Sequence, residues 1–396
     1  MLTSRVSVGV LLALLSACTP PPTIDQQRDQ RAREGKDAIS IGVPFPWALY
    51  ANADFGDGLT LAIDEINRNG GVHGRPLQVH RVDDGGTVEG ARRAAQELVA
   101  NPSIVAVIGH LQSAITLPTA PIYDRAGVFL LTPTVTDEAV TASGYSRIFR
   151  PTFTHEQVGR GMADAAVRGG YRRVGIYYVR DRYGRGLANA FEARARELGI
   201  LVPGRESYEA GELLTTGTVV ARLRTWGAVG VDAVFVAGEL PSAAQVVRGV
   251  RRADSTLGIL GGEAMSLPEL LALGPASEGA IVAAVFHAAD THAESARFTS
   301  SFRERFGTTP GALAAVAYDA VRLVADVMTR AESPSPADMA RAMRQMREWS
   351  GVTGHVTFDS LGNATAKSFL TLRVKDGQFV LWDGTQTQLA EGTRAR

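Results

Sequence analysis

Ile104-Val105-Ala106-Val107-Ile108 is a run of five apolar residues with no polar position on either face. A strand with one wet face alternates polar and apolar residues, whereas a strand covered by helices on both faces does not. The run therefore predicts a central strand of a parallel sheet. Gly109-His110-Leu111-Gln112 turns the chain, Ser113–Ala126 reads as a helix, and Val128–Thr132 predicts the next strand. Toward the N-terminus, Thr87–Ala100 reads as a helix and Arg75–Val82 as an alternating strand. Phe55–Asn67 is a helix with Leu59, Ile63 and Ile66 on one face, preceded by the strand Ile39–Val43. Asn69-Gly70-Gly71 ends that helix with residues that tolerate left-handed backbone.

The alternation then restarts. Helix His155–Arg168, strand Arg173–Tyr178, helix Tyr183–Leu198 and strand Val202–Tyr208 are followed by helix Gly217–Trp226, strand Ala233–Ala237, helix Ser242–Ala253 and strand Gly258–Gly261. Two successive arrays predict an α/β chain of two doubly wound, Rossmann-like lobes. The remainder adds a strand at Gly279–Phe286 and helices at Ser295–Phe306, Ala312–Ala331 and Ser335–Met346. Ser368–Lys375 and Gln378–Trp382 flank Asp376-Gly377, the signature of a two-residue hairpin.

The length of 396 residues suits two domains of moderate size. Lys+Arg and Asp+Glu balance at 41 each, so the basic excess of a nucleic-acid binder is missing. The N-terminus reads as an export signal. Arg5 precedes an apolar run from Val6 to Leu15, too short to span a bilayer. Leu15-Ser16-Ala17-Cys18 resembles a lipobox. Residues 1–17 are expected to be a signal peptide, with Cys18 the lipidation site. Cys18 is the one cysteine in the chain, which leaves no internal disulfide. Residues 18–37 are nearly devoid of apolar side chains and are expected to be a flexible tether. These features predict an exported protein, lipid-anchored to a membrane and facing the periplasm or cell exterior. Thr19 in place of an Asp weakly favours the outer membrane.

Several motifs together carry a family resemblance. They are Ile66-Asn67-Arg68-Asn69-Gly70-Gly71-Val72-His73-Gly74-Arg75-Pro76, Asp83-Asp84, Val107-Ile108-Gly109-His110, and Pro121-Ile122-Tyr123. They continue with Leu131-Thr132-Pro133-Thr134-Val135-Thr136, Asp181-Arg182-Tyr183-Gly184-Arg185-Gly186, Tyr318-Asp319-Ala320-Val321 and Gly354-His355-Val356-Thr357-Phe358-Asp359. In this order and spacing the chain from Ile39 to Trp382 resembles the leucine/isoleucine/valine-binding family of type I periplasmic solute-binding proteins. The resemblance implies three crossings between lobes, a three-strand hinge, with residues 38–152 and 287–357 in lobe 1 and 153–286 and 358–396 in lobe 2.

It also implies a ligand site for an amino acid or related amide. Ser113 opens a helix whose free N–H groups favour an anion. By resemblance, Ser113 and Thr136 hold the ligand carboxylate, with the backbone of Thr134 nearby. Glu263 receives the ammonium and Tyr183 lies over the ligand. Trp47 and Tyr50 follow the first strand, where the family forms an aromatic side-chain pocket, and the pattern does not choose between them. Glu239 departs from the family, which tends to carry an aromatic there. A second carboxylate beside Glu263 requires an extra positive group on the ligand, a protonated acid, or a Glu239 that faces solvent.

The seven histidines form no metal-ligand cluster, and neither a Gly-x-Ser-x-Gly elbow nor a phosphate loop occurs. No metal, cofactor or catalytic activity is expected. The expected role is capture of a small molecule by a monomer and its delivery to an ABC-type permease; a sensing role on the same fold is the alternative.

Overall fold

The computed structural model describes residues 21–209, 215–365 and 367–384. The expected signal peptide and Cys18 lie outside them. The first sheet contains β1 (Ile39–Phe45), β2 (Leu77–Asp83), β3 (Ile104–Ile108), β4 (Phe129–Leu131) and β5 (Ile148–Phe149). Their spatial order is β2-β1-β3-β4-β5, all parallel. Every residue of β3 is buried, as its unbroken apolar run requires. Helices α2 (Phe55–Arg68), α3 (Val88–Ala100), α4 (Ser113–Arg125) and the short α5 (Ala139–Ala142) connect the strands.

The second sheet repeats the pattern. It holds β6 (Val174–Val179), β7 (Arg205–Tyr208), β8 (Ala233–Ala237), β9 (Gly258–Gly261) and β10 (Ile281–Ala284) in the order β7-β6-β8-β9-β10. These strands are parallel, and are joined by α6 (His155–Arg168, which enters the array), α7 (Arg182–Glu197), α8 (Thr216–Gly227), α9 (Ala244–Ala253) and α10 (Pro268–Leu271). Three helices, α11 (Ala293–Phe306), α12 (Ala312–Arg330) and α13 (Pro336–Gln345), share a core with the first sheet, where Phe298, Val321 and Met339 pack with Ile41 and Leu59. The two-stranded β11 (Trp349–Gly351) and β12 (Gly354–Val356) follow. The chain then returns to the second sheet through β13 (Leu370–Lys375) and β14 (Gln378–Leu381), both antiparallel. Lys375 pairs with Gln378 across Asp376-Gly377, whose φ values of 52° and 72° suit the two-residue hairpin turn.

Each parallel array thus has the order 2-1-3-4-5 about its own first strand. In such sheets ligands bind outside the carboxyl ends of the strands, where the order reverses. The chain passes between the arrays near residues 150–153, 285–287 and 357–369. At the first and third of these, Arg150 is fully buried and its guanidinium donates to Asn363 Oδ1 at 3.0 Å and to the carbonyls of Thr152 and Phe153.

The expectation of a flexible tether across 18–37 fails for its middle. Ile24–Glu34 forms helix α1, docked on the first lobe. Arg28 is fully buried and donates to the carbonyls of Ile104, Ala126 and Val99, each at 2.7 Å. Arg33 reaches the buried Asp338 at 2.9 Å. Low apolar content was the reason to expect disorder, but one forked guanidinium satisfying three carbonyls supplies charge-assisted bonds in its place.

Candidate functional site

The carboxyl ends of both sheets face one cavity of about 110 Å³. Lobe 1 lines it with the turn after β3 (Leu111, Gln112, Ser113), the turn after β4 (Pro133, Thr134, Thr136) and the start of α12 (Ala312, Leu313, Val316). Lobe 2 contributes Tyr183 after β6, Glu239 and Leu240 after β8, and Glu263, Ser266 and Leu267 after β9. Among the described residues lining the cavity there are two carboxylates and no Lys, Arg or His.

Ser113 is the first residue of α4, so its N–H and those of Ala114 and Ile115 precede the first intrahelical bond, from Thr116 N to Gln112 O. The cap position is occupied by Gln112, which makes no side-chain cap. Its amide instead reaches across the cavity, and Nε2 donates to Glu239 Oε2 at 2.6 Å. The helix start therefore keeps its free donors and its partial positive charge directed at the cavity. Thr134 differs from its neighbours: its hydroxyl donates to Leu111 O at 2.7 Å and braces the turn that carries Ser113. Thr136 Oγ1 is buried without a hydrogen-bond partner.

Tyr183 OH and Glu263 Oε2 are likewise buried; the phenol and the carboxyl lie near each other, but neither atom completes a hydrogen bond of normal geometry. A buried polar atom left unpaired costs about 1–3 kcal/mol, so three in one cavity mark a place completed by something polar. Burial pushes the Glu263 carboxyl up to about 7. Burial, then the nearby Asp181, pushes Glu239 up to about 7, with Gln112 opposing and Glu263 adding to the rise. The Tyr183 hydroxyl is raised well above its ordinary value, chiefly by burial, and remains a neutral donor.

Seven of the eight residues expected at the site line one cavity: Tyr50, Ser113, Thr134, Thr136, Tyr183, Glu239 and Glu263. Trp47 does not. Its ring packs against Phe45 at 5.0 Å and Phe55 at 5.9 Å, beneath the Arg81 guanidinium at 4.7 Å. Tyr50 takes the inward place, with its hydroxyl 3.4 Å from Leu240 O across the cleft. The expectation that Glu239 could face solvent also gives way, since Gln112 holds it in the cavity. Gln112, Leu313 and Val316 were missed. The polar residue directly before a helix start was a usable signal for Gln112; nothing local marked the other two.

Behind the lobe-1 wall, the fully buried Asp84, His110 and Tyr123 form a chain, with Asp84 Oδ2 2.6 Å from His110 Nδ1 and His110 Nε2 3.1 Å from the Tyr123 hydroxyl. These groups are sealed from the cavity and stiffen the base of the turn carrying Gln112 and Ser113. Among the described residues no group of three His, Cys, Asp or Glu could hold a metal ion.

Residues 46–378 match the family model for periplasmic binding proteins. The chain is 27% identical over 334 residues to a leucine-, isoleucine-, valine-, threonine- and alanine-binding protein of Pseudomonas aeruginosa, covering 83% of this chain and 87% of that one. It is 31% identical over 253 residues to the Leu/Ile/Val-binding protein of Escherichia coli K12, covering 63% and 67%. An ABC-transporter substrate-binding protein of Desulfitobacterium hafniense, solved in complex with Leu, superposes with a TM-score of 0.79 at 32% identity, covering 87% of this chain and all of that one. The chain belongs to the leucine/isoleucine/valine-binding family of type I periplasmic binding proteins. It is a solute-binding protein of the ABC-transporter type.

Proposed function

We propose that the protein captures an amino acid between its lobes and presents the closed, loaded form to an ABC-transporter permease. The observation that carries this reading is the trio of unpartnered buried atoms, Thr136 Oγ1, Tyr183 OH and Glu263 Oε2, in one cavity built from both lobes. The α-carboxylate lies against Ser113, Thr136 and the first N–H groups of α4. The ammonium lies against Glu263, with Tyr183 and Tyr50 covering the ligand. Charge-assisted hydrogen bonds at about 1.5–3 kcal/mol each offset the desolvation of both ends. The named ligands of the Pseudomonas relative and the Leu of the Desulfitobacterium complex are α-amino acids, which supports the same ligand class here.

Leu111, Leu240, Leu313 and Val316 give the side chain an apolar channel. The cavity offers donors and acceptors without a paired nucleophile and base, so the bound molecule leaves unchanged. The protein acts as a monomer outside the cytoplasmic membrane, held by lipid on Cys18, with α1 as a docked segment between anchor and lobe 1.

A thermal-shift panel of L-amino acids on the mature protein tests this. A ligand at 100 times its Kd adds about 2.7 kcal/mol of stability. At least one α-amino acid is expected to raise the melting temperature, and its decarboxylated amine to leave it unmoved. A panel in which no amino acid acts overturns the reading. Loss of uptake of that amino acid on deletion separates delivery to a permease from sensing.

A further inference from the structure

The charge inventory of the cavity does not match a ligand with a single ammonium. A zwitterion brings one cation and one anion. The α4 start and the lobe-1 hydroxyls answer the anion, and Glu263 answers the cation. Glu239 is then a second acid in a lining that holds no basic side chain among its described residues. Its one inter-lobe donor is the neutral Gln112 amide at Oε2. The titratable groups facing it are Asp181, Glu263, Tyr183, Tyr208 and Tyr50; all of them are acids or phenols, and none brings positive charge.

Resting on the amino-acid reading above, we infer that Glu239 is the specificity-determining residue for a second cationic group, and that the cargo is a diamino monocarboxylic acid. Two independent observations point to a ligand here rather than to a stray acidic pair. The Tyr183 hydroxyl, on a side chain only 5% exposed, lies near Glu263 without completing a hydrogen bond of normal geometry and shares the cavity with both acids. The Gln112–Glu239 bond also spans the two lobes, so Glu239 sits at the closing face, where a ligand's far end is enclosed. A methylene stem lies along Leu111, Leu240 and Leu313 while its terminal ammonium meets Glu239, an arrangement usual for long cationic side chains.

Proton balance gives an additional readout. Both acids are pushed up to about 7 by burial. A cation against each carboxylate favours the ionised form, so ligand binding near pH 7 expels protons. A diamino acid expels them from both groups; leucine expels them from Glu263 alone.

Isothermal titration calorimetry of the mature protein with L-ornithine, L-lysine, L-glutamine and L-leucine tests the inference, with each run at pH 7 in two buffers of different ionisation heat. Ornithine or lysine is expected to bind at least about tenfold tighter than leucine and to release more protons. Glu239→Gln is expected to erase both differences, and a melting temperature at pH 4.5 that matches the parent's shows that the variant is folded. Leucine binding as tightly as both diamino acids overturns the inference and leaves the amino-acid reading intact. So does glutamine binding tighter than either diamino acid, or a preference that survives Glu239→Gln. If none of the four binds, both readings fall.

Discussion

The two walls of the cleft are built from the same 2-1-3-4-5 strand order, yet they carry opposite chemistry. Lobe 1 presents hydroxyls, an amide and the open start of α4. Lobe 2 presents two carboxyls and a phenol. Neither wall alone can satisfy a zwitterion, since one offers donors for an anion and the other acceptors for a cation. On the proposed reading the difference couples binding to closure: the charged ends lose water only when both walls are in contact with the ligand. On that same reading it also sets the orientation of the ligand, with the carboxylate toward lobe 1.

Breaking the acidic wall gives the largest effect. On the proposed reading Glu263→Ala removes the acceptor for the ammonium and leaves Glu239, already bonded to Gln112, as the remaining carboxyl of the lining. Truncating one partner of a buried charged pair costs about 2–5 kcal/mol, so affinity is expected to fall by about 30- to 5,000-fold in calorimetry. An affinity within threefold of the parent would remove Glu263 from the ammonium site. Breaking the donor wall is milder. Ser113→Ala deletes one hydroxyl but keeps the N–H groups of the α4 start, so a loss of about tenfold is expected, near the lower end for a bond to a charged group. If Ser113→Ala costs more than Glu263→Ala, the assignment of the walls is inverted.

The two walls also separate in their response to pH. Lobe 1 has no carboxyl in the cavity lining and its one titratable group there, the Tyr50 phenol, is pushed up to about 12 by burial, whereas both lobe-2 acids rise from 4.5 to about 7 on burial. Between those values the folded chain holds protons that the unfolded chain has released. Their contribution therefore weakens stability as pH rises from about 4.5 to 7, and the penalty stays in force above that window. Other buried carboxyls titrate too, so the informative quantity is the difference between two chains. Free Glu239→Gln is expected to melt at the parent's temperature at pH 4.5 and above it at pH 8. A variant less stable than the parent at pH 8 would show that Glu239 ionises at no cost.

Most of this architecture was legible because it rests on short-range pattern. β3 and β8 are buried throughout and read as unbroken apolar runs; the acids after β8 and β9 lie where such strands end. What escaped depends on distant partners. Arg28 looks like one more charge in a polar stretch, and its acceptors lie 76, 98 and 71 residues further along the chain. The positions of Leu313 and Val316 in the cavity follow from α12 packing back onto lobe 1 after an excursion through lobe 2. No local periodicity encodes that return. Short elements such as α5 and β5 were also missed, because two to four residues carry too little pattern to separate from a turn.

Trp47 and Tyr50 give the finest version of the contrast, since they stand three residues apart in one loop. Both rings touch Phe45, but Trp47 is the one that also meets Phe55 on α2. Phe55 stacks on Phe45 at 4.2 Å, and together they make a platform against which Trp47 packs, away from the cavity. Tyr50 is left to reach Leu240 of lobe 2. Trp47→Ala should therefore leave ligand affinity within about twofold, as for a change remote from the site. It should still lower stability by about 1–3 kcal/mol, through lost aromatic packing and the lost contact with Arg81. The paired measurement is what discriminates. A Trp47→Ala protein with normal melting and weakened binding would place the indole against the ligand after all, and would make Tyr50 the bystander.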